Sequence, residues 1–559
     1  MIKESWQSAI PNFTLYNEAL EQASSIPTLS FLALQPRLKS SLIHFDKLAT
    51  FPRFLLINSP DNVIYRDAIF DSFQELITEN DIKNVPVIKS ESIELDELFG
   101  RYQVENSQVK YQTEGLLDQA NGGYLIISAN LILANPRAWP KLKAAVLGQT
   151  CSSVAADPRQ LANNVPTKTY DIKLVIVGDR TQLGDLDLFD ADIRTPLCLF
   201  AEVELDFKLD DNNMETYLGY INGFIEQYQF PALTDISAWC DFLNQGARET
   251  EDQERMPLCP IWIRTILAEA SIEAQAEQSD VITKEHFEQA LENRDYRQAY
   301  LPERALDDIL EGQVIIETQG ERVGQVNGLT VIEIPGHPVT YGEPARISCV
   351  IHFGDGDISD VERKAELGGN LHAKGMMIMQ AFLGSALNLD EPLPFAASIV
   401  FEQSYSEVDG DSASLAELCS LVSALSEYPI NQQVAVTGAV DQFGRVQAVG
   451  GLNEKIEGFF RVCQHQGLTG EQGVILPKSN LKHLSLHQDV VEAMKQEQFH
   501  LWSVESVDEA LPLIFGIAFR GDEEETILNK ISERIEHFDK HEANDCGFLN
   551  KIKNLFSAH

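Results

Sequence analysis

The amino-acid sequence predicts a multidomain protein that joins an α/β domain, a helical region and an α+β domain. Three observations support this fold class. The 559 residues are enough for roughly three or four domains of ordinary size. Short apolar runs alternate with helical stretches over residues 51–230. After about Pro302 the composition shifts toward glycine, valine and alternating strand patterns.

The α/β region begins with FPRFLLINSP (residues 51–60), an apolar run that ends in a turn and predicts a buried strand. Apolar residues at helical spacing follow from about Val63 to Ile77. Further buried strands are predicted over residues 122–128 and 172–179. Buried strands separated by helices are typical of a parallel sheet, so we predict an α/β domain over residues 51–230.

Three other segments flank the predicted domains. Residues 231–305 carry helical patterns and are predicted to form a helical subdomain. Residues 1–50 are assigned to an N-terminal segment of mixed character. Residues 519–559 are rich in charge, and we predict a charged, loosely attached helical tail.

The α+β domain is predicted over residues 306–518. Alternating apolar residues predict strands over residues 323–334 and 345–354. The run MMIMQAFLGSALN predicts a buried helix over residues 376–388. Strands and helices mixed in this way are typical of an α+β architecture.

Composition excludes several classes of function. The formal net charge is −42, from 85 acidic and 43 basic residues. A surface this acidic repels phosphate backbones and anionic lipids, so we expect neither nucleic-acid nor membrane partners. The eight cysteines show no C-x-x-C spacing, and no apolar stretch reaches the roughly 20 residues of a membrane span. With no secretory signal in MIKESWQSAI, we expect a soluble cytoplasmic protein.

A candidate nucleophile lies in DGDSASLAELCSLVSAL, residues 409–425. Ser414 and Glu417 have the spacing of a capping box, which predicts that a helix begins near Ser414. Ser412 then lies just before a helix N-terminus, where backbone N–H groups can stabilise an oxyanion. Gly410 allows the chain to approach a substrate closely. The alternative is that Ser412 is only a second capping hydroxyl.

A candidate general base lies in VGGLNEKIEGFFRVC, residues 449–463. On a helical wheel Lys455 lies on the flank of an apolar stripe rather than with the other charged residues. The stripe consists of Leu452, Ile456, Phe459, Phe460 and Cys463. Partial desolvation would favour the neutral amine, which can accept a proton from a serine hydroxyl. The alternative is a lysine whose stem covers apolar surface while its charge reaches water.

Together the two segments resemble the proteolytic domain of the Lon family. That family carries a D/E-G-x-S-A loop, here residues 409–413, and a G-G-x-x-E-K helix start, here residues 450–455. The spacing of 43 positions between Ser412 and Lys455 also fits. The resemblance is dense over roughly residues 306–518, and it is closer to the LonB branch than to classical bacterial Lon.

The resemblance implies a serine endopeptidase that degrades unfolded or damaged proteins. Ser412 would be the nucleophile and Lys455 the general base. Thr437 matches a family threonine whose hydroxyl contacts the lysine, and it would orient Lys455. The family also implies a homohexameric ring.

The remaining supporting residues belong to the loop that carries Ser412. Gly410 would shape this loop, and backbone N–H groups near Asp411 would hold the oxyanion. Either Asp409 or Asp411 could instead pair with Lys455 in an inactive arrangement and raise its pKa. The alternative is that both carboxylates only shape an acidic turn.

The α/β domain and the helical subdomain resemble the AAA+ ATPase and lid that Lon proteases couple to this domain. The nucleotide motifs are degenerate. Residues 58–65, NSPDNVIY, lack the glycines, lysine and hydroxyl of G-x-x-x-x-G-K-[ST], and Asp61 would repel phosphate. The strand at 122–128 continues into Ser-Ala-Asn instead of adjacent acids, and Asp179 replaces a sensor asparagine. The family implies ATP and Mg²⁺, but these residues predict no bound cofactor and ATP-independent cleavage.

Three alternatives compete with a Ser–Lys peptidase. The chain could be a non-proteolytic scaffold or regulatory protein derived from an AAA+ ancestor. Ser412 could act with a histidine such as His372, since catalytic triads are set by geometry and not by sequence order. A metal could bind His537, His541 and Cys546, although a solvated tail is by far the better explanation of these residues, because no H-E-x-x-H motif flanks them. On the sequence we expect no metal site.

Overall fold

The computed structural model describes residues 2–79, 85–160, 162–210, 212–353, 358–387, 395–404, 407–521 and 525–535. The chain forms two compact units, which are described separately. We call Tyr16–Trp239 with Met256–His286 the central unit. We call Met1–Leu15, Cys240–Arg255 and Phe287–His559 the terminal unit. The predicted domain boundaries follow the chain without interruption, and they stay predictions.

The central unit is built on a five-stranded parallel sheet, and the sequence predicted its parallel arrangement and three of its strands. Its strands are, in spatial order, Cys198–Glu202, Phe54–Asn58, Lys173–Gly178, Tyr124–Ser128 and Val87–Lys89. Along the strand Phe54–Asn58, Phe54 and Leu56 pack into one apolar cluster, whereas Leu55 and Ile57 pack into another. Because both faces of the sheet are buried, consecutive residues of a strand are apolar, and the three inner strands appear in the sequence as continuous apolar runs.

Helices cover both faces of this sheet. The helix predicted from Val63 is confirmed as Val63–Glu79. The other helices of the central unit are Asn17–Glu21, Pro36–Lys47, Leu95–Phe99, Leu116–Gln119, Ala129–Ala134, Trp139–Val146, Arg180–Phe189, Met214–Tyr228 and Pro260–Ala276. Its short strands are Arg101–Glu105, Gln108–Gln112, Cys151–Ser152, Val154–Ala155, Thr167–Lys168, Asp206–Lys208, Ala232–Leu233 and Val281–Ile282.

The chain passes from one unit to the other at four points. One lies in the short 3₁₀ helix Thr14–Tyr16, and the others lie in the helices Ile236–Thr250 and Lys284–Gln298 and in the short strand Arg255–Pro257. Helices therefore dominate residues 231–305, as the sequence pattern predicts. No helix within the described ranges is long and apolar enough to span a bilayer.

The terminal unit is built on an eight-stranded mixed sheet. Its strands are, in spatial order, Ile2–Lys3, Phe499–Val504, Gln472–Pro477, Val434–Val436, Gln325–Ile332, Tyr341–Phe353, Phe395–Phe401 and Ile358–Asp360. The strand Val434–Val436 lies near the centre and has only three residues. It pairs in parallel with both neighbours, Gln325–Ile332 and Gln472–Pro477.

Two helices cover opposite faces of the eight-stranded sheet. The serine helix, Ser414–Ser426, packs in one apolar cluster with Val436. The lysine helix, Leu452–Gln466, packs in a second apolar cluster with Ala435. Neighbouring residues of a strand point to opposite faces of a sheet. The two helices are therefore separated by the central strand Val434–Val436.

The remaining helices of the terminal unit are Tyr300–Leu310, Val361–Lys364, Asn370–Ala386, Gln488–Lys495 and Val507–Phe515. Its short strands are Glu321–Arg322, Ile430–Asn431, Ala439–Val440 and Val446–Gln447. The helix predicted over 376–388 begins six residues earlier, because its first turns are polar and partly exposed and so lack an apolar pattern. The strand predicted from 345 begins at Tyr341, because Gly342 and Pro344 look like a turn in the sequence alone.

The prediction of a loosely attached tail is wrong for the described part of residues 519–559. Phe519, Ile527, Ile531 and Ile535 are buried in the same apolar cluster as the serine helix. The last three residues follow one another at intervals of four, which places them on one helical face. The high charge of the segment hid this narrow apolar stripe.

A close approach between the lysine helix and the strand Tyr341–Phe353 depends on glycine. A Cβ atom on Gly458 would lie 2.0 Å from the backbone oxygen of Gly342, which cannot move aside as a flexible side chain could. We predict that Gly458→Ala destabilises the terminal unit by about 1–3 kcal/mol through overpacking. Thermal and urea unfolding of the full chain measure the loss.

The matched control for this substitution is Gly384→Ala in the helix Asn370–Ala386. A Cβ atom at Gly384 would meet nothing within 4 Å. Alanine favours the helix by up to about 1 kcal/mol over glycine, so the control should be neutral or stabilising. Equal stability of the two variants would contradict the predicted clash.

Candidate active site

The nucleophile loop, residues 409–413, leads directly into the serine helix. Gly410 adopts a φ of 134°, a backbone conformation that residues with a side chain rarely adopt. The carbonyl oxygen of Ser412 accepts a hydrogen bond from Gly438 N at 2.9 Å. Gly438 lies just beyond the strand Val434–Val436. The loop is therefore held at the carboxyl end of the short central strand.

Lys455 lies in the first turn of the lysine helix. Gly451, just before that helix, has a φ of 63°, and a Cβ atom there would lie 2.5 Å from Val331 Cγ2. Glycine thus allows the helix to begin close against a neighbouring strand. The apolar stripe predicted for this helix is buried, and Lys455 itself is only 4% exposed.

The two candidate catalytic side chains meet. Lys455 Nζ lies 3.1 Å from Ser412 Oγ, which is hydrogen-bond distance. Burial lowers the pKa of Lys455 from 10.5 to about 8, although the nearby carboxylates of Glu454, Asp411 and Glu251 act in the opposite direction. Desolvation outweighs these charges. A substantial fraction of the amine is therefore neutral at mildly alkaline pH and can accept a proton.

Thr437 is fully buried beside the nucleophile loop. Its hydroxyl donates to the carbonyl oxygen of Ser412 at 3.4 Å, and its backbone N–H donates to Ile475 O at 3.0 Å. Within the described part of the chain no hydrogen bond joins this hydroxyl to Lys455. Thr437 therefore contacts the serine side of the pair, and its role in orienting Lys455 stays a prediction.

The two aspartates of the loop differ in their surroundings. Asp409 Oδ1 accepts a hydrogen bond from Leu371 N at 3.2 Å, in the first turn of the helix Asn370–Ala386. A carboxylate is favoured at such a helix start. Asp411 instead contributes a negative charge that raises the pKa of Lys455. Neither aspartate forms an ion pair with Lys455 among the described residues.

The capping box predicted for Ser414 and Glu417 is wrong, although the helix does begin at Ser414. The residue before the helix is Ala413, which offers no side-chain cap. The Ser414 hydroxyl oxygen instead accepts a hydrogen bond from Val440 N at 3.0 Å. Glu417 is buried, and burial raises its pKa to about 7. Tertiary contacts thus replace the local capping pattern.

His372, the alternative partner of Ser412, lies in a buried cluster with acidic residues. Its Nε2 is 3.1 Å from Asp360 Oδ2, and its Nδ1 is 3.6 Å from Glu417 Oε1. Burial opposes the charged imidazole, but these carboxylates raise the pKa of His372 overall. The structure records no hydrogen bond between His372 and Ser412 for the described residues. The sequence did not reveal this cluster, because Glu417 matched a capping pattern.

In the central unit, Asp61 follows the first strand and Ser128 ends the strand Tyr124–Ser128. Ser128 Oγ donates to Asp61 Oδ2 at 2.5 Å, and Arg66 forms an ion pair with the same aspartate. Arg66 also pairs with Glu91, with Nη2 and Oε2 2.6 Å apart. The side chains of Asp61 and Arg66 are 2% and 7% exposed. The loop after the strand Phe54–Asn58 and the end of the strand Tyr124–Ser128 are thus joined directly by side-chain contacts.

Asp179 caps a helix. Its Oδ1 accepts a hydrogen bond from Gln182 N at 2.8 Å, and its own N–H donates to Gln182 Oε1 at 2.9 Å. These reciprocal bonds begin the helix Arg180–Phe189. The sequence predicted only that Asp179 replaces a sensor asparagine.

Among the residues that the structure describes, no group of three or more His, Cys, Asp or Glu side chains could hold a metal ion. The predicted alternative of a site at His537, His541 and Cys546 falls outside the described residues.

Comparison with known families supports the arrangement of domains. Residues 83–204 match the family described as LonB-like, AAA domain, and residues 234–297 match Archaeal LonB, AAA+ ATPase LID domain. Residues 403–516 match the Lon protease (S16) C-terminal proteolytic domain. The chain therefore joins an AAA-like domain and lid to a Lon proteolytic domain, and the predicted fold class is confirmed.

Individual proteins are also similar. A protein of Escherichia coli (strain K12) described as "Putative Lon protease homolog" is 40% identical over 562 aligned residues, which cover 95% of each chain. A protein of the same description from Haemophilus influenzae is 42% identical over 423 residues, covering 75% of this chain and 69% of that protein. An archaeal Lon protease from Methanocaldococcus jannaschii is 37% identical over 126 residues, covering 22% of this chain and 17% of that protein. The chain belongs to the Lon protease family.

Proposed function

We propose that this protein is a serine endopeptidase that cleaves unfolded or damaged proteins with Ser412 as nucleophile and Lys455 as general base. The observation that carries this proposal is the 3.1 Å separation between Ser412 Oγ and the nitrogen of a buried lysine. Burial favours the neutral amine, which a base must be before it accepts a proton. The match of residues 403–516 to the Lon protease C-terminal proteolytic domain supports peptide bonds as the substrate.

In the acylation step, the neutral Lys455 amine accepts the proton of the Ser412 hydroxyl as Oγ bonds to the scissile carbonyl carbon. The carbonyl oxygen becomes an oxyanion, and backbone N–H groups near Asp411 and Ser412 stabilise it at the start of the serine helix. When the carbon–nitrogen bond breaks, the leaving amine takes the proton from the Lys455 ammonium. An ester between Ser412 and the acyl fragment remains.

In deacylation Lys455 again acts first as a base and then as an acid. Lys455, neutral again, accepts a proton from water as the water oxygen attacks the ester carbon. The bond to Ser412 Oγ then breaks, and Oγ recovers the proton from Lys455. Thr437 assists by holding the carbonyl of Ser412, and the predicted contact with Lys455 would add to this support. Asp409 anchors the loop to the helix Asn370–Ala386 throughout.

We propose that cleavage does not require ATP or Mg²⁺. In P-loop ATPases, the loop after the first strand binds the phosphates with backbone N–H groups, a lysine and a hydroxyl. Here that loop carries Asp61, which pairs with Arg66 and accepts a hydrogen bond from Ser128. A phosphate would meet a carboxylate and would have to displace a buried ion pair. The residues present therefore do not fit a nucleotide.

The proposal extends to the assembly and the environment of the protein. Lon proteins with this domain order suggest a homohexameric ring in the cytoplasm, with extended polypeptide as substrate. The acidic charge of −42 is consistent with protein rather than nucleic-acid partners. A non-proteolytic scaffold remains the competing function, and the activity of Ser412 distinguishes the two.

We predict that Ser412→Ala abolishes the cleavage of casein by the purified full chain, because no nucleophile is left to form the acyl-enzyme. Ser385→Ala, at an exposed serine in the helix Asn370–Ala386, is the matched control and should keep full activity. Cleavage is measured by release of labelled peptides, and labelling with a peptide boronate should be lost in parallel. Casein cleavage by folded Ser412→Ala would rule out the assignment, and an inert wild type would favour the scaffold.

We predict that kcat/KM for peptide cleavage rises with pH through about 8, the lowered pKa of Lys455. The base must be neutral, so activity increases about tenfold per pH unit below this value and levels off above it. Steady-state kinetics between pH 6 and 10 with a fluorogenic peptide measure the profile. A pH dependence that disappears in His372→Gln would show instead that the histidine is the base.

We predict that Mg-ATP neither binds measurably nor accelerates casein cleavage, because Asp61 and the ion pair with Arg66 exclude the phosphates. Isothermal titration calorimetry measures binding, and parallel assays with and without ATP measure activity. Unchanged cleavage on adding Mg²⁺ without nucleotide is the control for salt effects. A tight calorimetric signal for Mg-ATP would overturn the proposal of ATP independence.

A further inference from the structure

An ion pair holds the polar side of the lysine helix. Arg248, in the helix Ile236–Thr250, donates from Nη1 to Glu457 Oε1 at 2.6 Å and from Nη2 to Glu457 Oε2 at 2.8 Å. The side chain of Glu457 is only 8% exposed, whereas that of Arg248 is 29% exposed. The sequence pattern placed Glu457 on the polar side of the lysine helix, opposite the apolar stripe. The structure shows that Arg248, which is distant in the sequence, packs against this side of the helix.

The same pair is tied to the backbone beside it. Arg248 Nη1 also donates to Ser485 O at 3.1 Å, and Glu457 Oε1 accepts a second hydrogen bond from His487 N at 2.8 Å. Asn453, in the first turn of the lysine helix, accepts from Ser485 N at 2.8 Å. The lysine helix is thus attached along its polar side to both Arg248 and the segment at residues 485–487.

Residues before and after Arg248 in the sequence extend this attachment. Ser485 Oγ donates to Asn244 O at 2.9 Å, and Gln253 Nε2 donates to Leu484 O at 2.7 Å. Asn244 precedes Arg248 by one helical turn, and Gln253 follows the same helix. All of these residues belong to the terminal unit. Residues 244–253 therefore form a continuous support for the helix that carries Lys455.

We propose that Arg248 is a positioning residue for the Ser412–Lys455 pair, an inference that rests on the proposed function. Glu457 lies two residues after Lys455 on the same helix, about 3 Å along its axis. Because a helix is stiff over one turn, holding Glu457 also sets the position of Lys455. A displacement of about 1 Å would break the 3.1 Å contact with Ser412 and can slow a reaction by orders of magnitude.

The bidentate geometry makes this role specific to arginine. The planar guanidinium presents two parallel N–H groups to the two carboxylate oxygens, which sets both the distance and the rotation of Glu457. A lysine at the same position keeps the positive charge, but its ammonium group is a point charge that cannot fix the orientation of the carboxylate. Without a partner, the buried Glu457 carboxylate would shift toward water and rotate the lysine helix.

The test is a KM-against-kcat comparison on the full chain with a fluorogenic peptide. We expect Arg248→Met to lower kcat at least about tenfold with KM within about twofold, because peptide binding is retained and the base is misplaced. The rate of Ser412 labelling by a peptide boronate should fall in proportion. Arg248→Lys should recover part of kcat, since it restores the charge opposite Glu457.

The double variant Arg248→Met with Glu457→Gln tests whether the two side chains affect kcat through their mutual ion pair or independently of each other. If the two side chains act as one unit, kcat of the double variant is no lower than that of Arg248→Met. The matched control is Arg520→Met, which removes another bidentate pair of the terminal unit, with Asp508 at 2.7 Å for both bonds. This control should leave kcat unchanged at a temperature where every variant is folded by circular dichroism.

Three results would overturn the inference. They are a folded Arg248→Met with kcat within twofold of the wild type, a loss no larger than that of Arg520→Met, or a loss that appears only in KM. If Arg248→Met does not fold, Arg248→Lys decides, since an unchanged kcat contradicts the role and a lowered kcat at constant KM supports it. Failure of the proposed function looks different, because then either the wild type would not cleave casein or Ser412→Ala would still cleave it.

Discussion

The arrangement of the terminal unit depends on keeping the amine of Lys455 out of water and within 3.1 Å of Ser412. The two residues come from helices on opposite faces of one sheet, so an uninterrupted sheet would keep them apart. The central strand Val434–Val436 ends after three residues, and the nucleophile loop is hydrogen-bonded just beyond its end. The early end of this strand lets the side chains meet, while the two apolar clusters still exclude water.

The central unit shows how a parallel sheet can be held together by contacts within the chain. Its five parallel strands keep alternating apolar contacts on both faces, and these contacts need no ligand. Asp61, Arg66 and Ser128 join the ends of two strands by direct hydrogen bonds and ion pairing. In a nucleotide-binding protein, phosphate and metal would bridge these ends. Here an internal ion pair and a hydrogen bond satisfy these polar groups within the chain.

The sequence predicted those features that leave a local signal. Three of the five strands of the central sheet appeared as apolar runs, but the outer strands Val87–Lys89 and Cys198–Glu202 did not. Lys455 was recognisable because it lies apart from the other charged residues of its helix. The link between Arg248 and Glu457 spans 209 positions, so no local period could reveal it. Ser414 and Glu417 gave a misleading signal, because a capping pattern is short and buried tertiary contacts can claim the same side chains. Asp409 was located correctly in the loop, but its bond to Leu371 depends on how a distant helix packs.

The position of Arg248 also bears on the electrostatics of the base. The lysine helix carries two glutamates close to Lys455 in sequence, and negative charge near an amine favours its protonated form. Glu454 raises the pKa of Lys455, as do Asp411 and Glu251. Glu457 points toward Arg248, which with the His487 N–H lowers the pKa of Glu457 despite its burial. Arg248 Nη2 also lies 3.6 Å from Glu454 Oε1, so one arginine offsets both glutamates of the helix while burial dominates at Lys455.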